Sequence, residues 1–291
     1  MGVSQQLLTI GAVERDSGIA RDTLRVWERR YGYPVPLRNG KGERMYSDEQ
    51  LRHLQRIQRL ISQGHRPGKL LRMSDDELVK LESELHTDTD QLLDENIQTL
   101  IRLIQSADAL EIDRELCRLY EEQGMRTFLV KTIVPLLRTV GNLWAAGKLS
   151  IFEEHFVSTQ IIRILNVEIT RMQSECKKPL VLLATLPGEQ HTMGLLMLSA
   201  MLSSHKVATL NLGGQVPIDQ IAEATDRFNA DAVGVTFSGA YHYPSIRSDL
   251  QSLREAVSEG VEIWTGGEGV SRMRRLPEGV MKFTSLEHLP V

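Results

Sequence analysis

Between residues 179 and 285, short and almost wholly apolar runs alternate with longer stretches of helical periodicity. The runs are PLVLLATL, KVATLNL, ADAVGVTFS, VEIWTGG and VMKFTS. Between them lie GLLMLSAMLSSH, PIDQIAEATDRFN, PSIRSDLQSLREAVSEG and GVSRMRRLP. A strand with one wet face alternates polar and apolar residues, whereas a strand apolar throughout is buried on both faces. That burial requires helices on either side of a parallel sheet. The pattern predicts an α/β layer over residues 177–291, Rossmann-like in the flavodoxin-like sense. Ligands of such sheets bind outside the carboxyl ends of the strands. GxGxxG does not occur, so the dinucleotide fingerprint is excluded.

Three landmarks fall at that edge. Glu189-x-His191-x-x-Gly194 follows the first strand, Thr236-Phe237-Ser238 ends the third, and Gly266-Gly267 ends the fourth. Read alone, a glutamate and a histidine fenced by glycines fit a catalytic base, a metal ligand or a polar turn. The spacings, 41 residues from Gly194 to Thr236 and 27 from Ser238 to Gly266, are more specific. The set resembles the cobalamin-binding domain of methionine synthase and mutases, with Thr236 in place of a serine. The resemblance implies His191 as the lower axial ligand of cobalt and Glu189 as its orienting partner. It implies a nucleotide tail entering the sheet past Gly194, Thr236, Ser238, Gly266 and Gly267. Cobalt accepts a neutral imidazole nitrogen, and a carboxylate on the other ring nitrogen fixes the tautomer.

The net charge of −4 is unevenly spread. Residues 1–72 hold 14 Lys/Arg against 7 Asp/Glu, while the rest hold 20 against 31. A basic head on an acidic body suits contact of the head alone with a polyanion. Thr9 can cap a short helix that Gly18 stops. A second helix, TLRVWERRYG, turns Leu24, Trp27 and Tyr31 to one side and Arg21, Arg25, Arg29 and Arg30 mostly elsewhere. A hairpin signal at Asn39-Gly40, two residues that tolerate positive φ, carries Arg38, Lys41 and Arg44. Ser47-x-x-Gln50 then opens a third helix as a capping box. Residues 7–75 resemble the DNA-binding domain of the MerR family, down to the W-E-R-R-Y-G step. The resemblance implies a winged helix-turn-helix over residues 1–80. It would bind double-stranded operator DNA through these arginines, Tyr31 and Lys41. The long coiled coil and metal-sensing cysteines of many relatives are missing. The two cysteines, Cys117 and Cys176, stand far apart.

Residues 81–176 read as a four-helix bundle. Ile133, Leu137, Val140 and Trp144 step by four, three and four; Gly147 ends that helix, and Ser150-x-x-Glu153 opens the last. An antiparallel hairpin would bring Trp144, Glu154 and His155 to one end. Trp144, nine residues, then Glu154-His155 resembles the cap of the light-responsive, cobalamin-dependent repressors of the MerR type. The resemblance implies a cap over the upper face of adenosylcobalamin (or another cobalamin form). Trp144 would pack on the adenosyl group, Glu154 would bond its sugar and His155 would line the same face. It further implies a dark homo-oligomer, tetramer or dimer, that leaves DNA after photolysis, and no enzyme activity. Ala145 departs from the pattern, since a histidine often follows the tryptophan there. A light-independent or cobalamin-free regulator is the alternative; a corrinoid methyl carrier would leave the head idle. No apolar stretch has membrane-spanning length and the N-terminus lacks a signal-peptide pattern, so the expected location is cytoplasmic.

Overall fold

The computed structural model describes residues 7–62, 65–86, 94–145, 148–239, 241, 243–271 and 273–289. The chain divides into two compact units, residues 1–95 with 141–150, and residues 96–140 with 151–291.

In the first unit, strand β1 (Leu7–Thr9) leads into α1 (Ile10–Ser17). Thr9 caps α1 by accepting from Ala12 N, and Gly18, at φ 69°, ends it. Helix α2 (Arg21–Tyr31) ends on Gly32 at φ 73°. Strands β2 (Leu37–Arg38) and β3 (Arg44–Ser47) form the wing, with β3 central between β1 and β2. The hairpin occurs where expected but turns differently. The positive φ falls on Gly42, at 78°, and not on Asn39 or Gly40. Asn39 instead works through its side chain, whose Oδ1 accepts from Lys41 N at 3.0 Å and Glu43 N at 2.9 Å, so the turn is longer than a two-residue one. Helix α3 (Asp48–Ser62) opens with the reciprocal capping box, Ser47 N to Gln50 Oε1 and Gln50 N to Ser47 Oγ, both 3.2 Å. Helices α4 (Pro67–Leu70) and α5 (Asp75–His86) follow. Leu24, Trp27, Tyr46, Leu54, Ile57, Leu70 and Leu78 form one core, so α5 packs with the head. Asp75, at the start of α5, accepts from His53 and Arg56 of α3.

The helical part of the second unit contains α6 (Glu95–Gln105), α7 (Ala109–Thr127), a π-helical turn (Phe128–Ile133), α8 (Val134–Ala145), whose end joins the first unit, and α9 (Ile151–Gln173). Asp108 caps α7 through Glu111 N. Within α7, Gly124 stands at φ 68°, ψ 161°, which breaks the helix there. The π turn shifts the phase of α8. Ile133, Leu136 and Val140 are buried, and Leu137, expected inside, is only half-buried. Gly147 lies outside the described residues.

The sheet consists of β4 (Lys177–Ala184), β5 (Val207–Gly213), β6 (Ala232–Thr236), β7 (Glu262–Gly266) and β8 (Val280–Phe283), all parallel, in the order β5-β4-β6-β7-β8. This is the flavodoxin-like order, with its switch point between β4 and β6. Burial on both faces is visible within β4. Leu182 and Ala184 join the cluster formed with helices α11 (Ile218–Phe228) and α12 (Tyr243–Ala256). Val181 and Leu183 join the cluster of α10 (Met193–Ser204). The last expected helix, over 269–277, is reduced to a single turn, α13 (Glu268–Ser271). Among the described residues, no helix is long and apolar enough to cross a membrane.

Candidate cofactor site and nucleic-acid interface

The chain leaves β4 at the switch point, and its loop to α10 carries Glu189 and His191. Thr185, fully buried, anchors the loop. Its Oγ1 donates to the Glu189 carbonyl at 2.6 Å and accepts from Gln215 N at 2.9 Å, tying the loops after β4 and β5 together. Glu189 is 1% exposed, a costly place for a carboxylate unless it is fully bonded. It accepts from His191 N at 2.8 Å and from Ser238 N, across the switch point, at 2.7 Å; His191 Nδ1 lies 2.7 Å from Oε1. An ionised carboxylate only accepts, so Nδ1 carries the proton and Nε2 presents its lone pair. Ser238 Oγ stands 3.1 Å from the same Nδ1. His191 is largely exposed, and its Nε2 forms no hydrogen bond among the described residues.

The electrostatics arise from this packing. Burial pushes the Glu189 carboxyl up, but the bonds from His191 and Ser238 outweigh it and hold the group below the ordinary range. His191 is raised, chiefly by its bond to Glu189 against an opposing burial effect; the charge of Glu154 adds to the rise. Glu154, in the first turn of α9, is therefore close enough to act on His191. It holds His155 Nδ1 at 2.5 Å and accepts from Ser158 Oγ at 2.7 Å. Trp144 is half-buried near the end of α8.

A cobalt-bearing macrocycle brings most of its own ligands and asks the protein for one imidazole and a polar-lined crevice. The donor set fits. Among the described residues, no group of three or more His, Cys, Asp or Glu could hold a bare metal ion, whereas a single oriented imidazole is present. Thr236 Oγ1, at the end of β6, is buried with no hydrogen-bond partner among the described residues, and Gly194 stands against it with 3.3 Å between Oγ1 and an added Cβ. The glycines divide into two kinds. An added Cβ on Gly267, at φ 95°, would meet Phe237 O at 2.3 Å, so the missing side chain makes room for the protein's own backbone. An added Cβ on Gly266 would stand 3.2 Å from Phe283 O, a tight contact but not an impossible one. Two further residues, Thr185 and Tyr241, support the site without belonging to any of the three landmarks. The Tyr241 hydroxyl lies 2.9 Å from Asp249 Oδ2 and 3.1 Å from Pro187 O, bracing the His191 loop from α12. Its signal in the sequence, a tyrosine just beyond the second landmark, is that of any loop aromatic.

In the head, the basic residues differ in freedom. Ala20 offers α2 no side-chain cap, and Glu14 of α1 takes that role, accepting from Arg21 N at 3.0 Å and Arg21 Nε at 2.5 Å. Arg25 pairs with Asp22, and Arg38 donates to Gly42 O at 2.8 Å. Arg44 Nε bonds Glu28 at 2.9 Å with both side chains half-buried, which pins the wing to α2; Glu28 raises the guanidinium further. Arg30 lies over the ring of Tyr31, 5.3 Å from its centre. Arg29, Arg30 and Lys41 form no ion pair among the described residues and are the freest to meet phosphate.

Comparison with known proteins finds family matches along both parts of the chain. Residues 8–75 match the MerR HTH family regulatory protein profile, and residues 96–167 and 179–281 each match a B12 binding domain profile. The HTH-type transcriptional repressor CarH of Myxococcus xanthus is 26% identical over 262 residues, covering 86% of this chain and 85% of that protein. The repressor CarA of the same organism is 29% identical over 254 residues, covering 86% and 83%. Among solved structures, the Methanosarcina barkeri monomethylamine corrinoid protein superposes with a TM-score of 0.53 at 14% identity, over 66% of this chain and 94% of that one, a likeness of fold.

Proposed function

This chain is a CarH-like MerR regulator with a cobalamin-binding domain, and from that premise we propose that it is a light-responsive repressor that holds adenosylcobalamin on His191. The observation that carries the proposal is the Glu189–His191–Ser238 network at the sheet's switch point. It fixes one imidazole nitrogen, while the other forms no hydrogen bond among the described residues. Gly194, Thr236 and Ser238 would admit the nucleotide tail, and Trp144, Glu154 and His155 would face the adenosyl side. Bound adenosylcobalamin supplies a cobalt–carbon bond that light breaks. The chain's part is to turn a change beside Trp144, Glu154 and His155 into a change in how many heads engage DNA together. In a tetramer or dimer on adjacent half-sites, losing simultaneous engagement weakens binding far more than one head's contacts account for.

The test is the absorbance spectrum of the protein loaded with adenosylcobalamin in the dark, desalted, then exposed to green light. The expected result is retained cofactor with a histidine-ligated spectrum that changes on illumination. Cofactor lost on desalting would sink the reading. Ala145 favours a second one, in which the same site senses cobalamin supply; retained cofactor with light-insensitive DNA binding would select it.

For the head, we propose that Arg21, Arg25, Arg29, Arg30, Tyr31, Arg38, Lys41 and Arg44 form the DNA face, with Arg44 fixing the wing. If about six cations meet phosphates, affinity should fall with salt at a log–log slope of roughly −5. Arg25→Ala and Arg30→Ala should each weaken a gel shift; mobility unchanged by both would remove α2 from the interface.

A further inference from the structure

Helices α9 and α10 both lead away from the proposed cofactor site and meet at an open cleft of about 600 Å³ in the second unit. Helix α10 starts two residues after His191 and runs 12 residues, about 18 Å, before its end enters the cleft. The opposite wall is the break in α7, where Gly124 takes a backbone conformation open in practice to glycine alone. The floor is soft and apolar. Half-buried Val130, Met172 of α9 and Leu286 line it, and Met125 and Met201 stand in the wall almost closed to solvent. Arg126 and Lys131 line the same cleft and form no ion pair or side-chain hydrogen bond among the described residues. Glu287 is the one carboxylate among the lining residues. His205, at the end of α10, is lowered by burial and by the charge of Arg126, so it adds a neutral polar edge.

Two cations that form no ion pair among the described residues, beside an apolar lining and with a single carboxylate in the same cleft, describe an amphipathic anion's complement, in a space within the usual range for small-molecule sites. We propose that this cleft is a second ligand site, built for a small organic anion with an apolar body, its head a carboxylate or a phosphate monoester. The hydrocarbon would lie on Val130, Met172 and Leu286, next to Met125 and Met201, and the anion would bridge Arg126 and Lys131. The inference stands on the cleft alone and does not depend on which cofactor His191 holds.

The test uses the full chain labelled with 13C at the methionine methyls. Octanoate and octyl phosphate, titrated separately, are expected to move the signals of Met125, Met172 and Met201 saturably while Met45 and Met73 stay fixed. Response to one probe alone identifies the head group; response to both defines a general anion site. The double variant Arg126→Gln/Lys131→Gln should bind at least about tenfold more weakly, and Arg138→Gln, outside the cleft, should bind like the parent. Cleft methionines that ignore both probes, or respond equally in the double variant, would overturn the proposal.

Discussion

His191→Ala lowers the affinity for cobalamin by about 100-fold and abolishes the histidine-ligated spectrum, if the imidazole is the lower ligand. Removing an orienting partner alone costs roughly 10–100-fold at metal sites, so losing the ligand belongs at or beyond the top of that range. Glu189→Gln separates the roles. It keeps the shape but can no longer accept at both oxygens, so it should weaken binding by about tenfold or more while leaving some histidine ligation. The pH dependence carries a sign that can be checked. Cobalt needs Nε2 without a proton, and the bond to Glu189 raises His191 above its usual 6.5. Retention of the cofactor should therefore fall as pH drops through that raised value, by up to about tenfold per pH unit. Protein stability runs the other way for His191. A raised folded value contributes stability fully present below 6.5 and lost as pH rises through the raised value. For Glu189, depressed below 4.5, the contribution is present above that pH and lost as pH falls through the depressed value. Equal affinity and an equal spectrum in His191→Ala would disprove the axial role.

The second large effect is structural. Gly267→Ala is expected to cost about 4 kcal/mol or more, read as a lower urea midpoint. The added carbon would sit 2.3 Å from Phe237 O at φ 95°, so backbone must move, and the segment that moves lies between Thr236 and Ser238. Gly194→Ala meets the Thr236 side chain at 3.3 Å and should cost far less stability. If Gly267→Ala instead melts like the parent and only loses cofactor, the glycine serves the nucleotide tail and not the fold.

The legibility of each element in the sequence tracks the range of the physics that makes it. The strands of the sheet are legible because continuous apolar runs have few other fates, and the caps at Thr9, Asp108 and Ser47 because they are local hydrogen bonds. Helix α5 is hard to read because its apolar positions, Leu78 and Leu81, gain meaning only against α3. The inward phase of Leu136 depends on a π turn that no short-range pattern announces. In the wing, Asn39 is the right residue for an incomplete reason, since its side chain and not its φ makes the turn. At the site, Glu189 and His191 are legible as a pair, two positions apart. The bond from Ser238 N comes from 49 residues away and depends on strand order. The close fit of Gly267 is visible only once Phe237 O is in place.

The bridge from Glu189 to Ser238 has a consequence for how this crevice tolerates mutational drift. On one side stand two acceptor oxygens at a reach where glutamine would offer one; on the other the donor is a main-chain amide. Every residue except proline has that amide. Substitution at 238 can therefore vary the hydroxyl offered to His191 without loosening the two loops, whereas position 189 admits almost no change. A lineage could retune the environment of the imidazole at 238 while the crevice kept its shape.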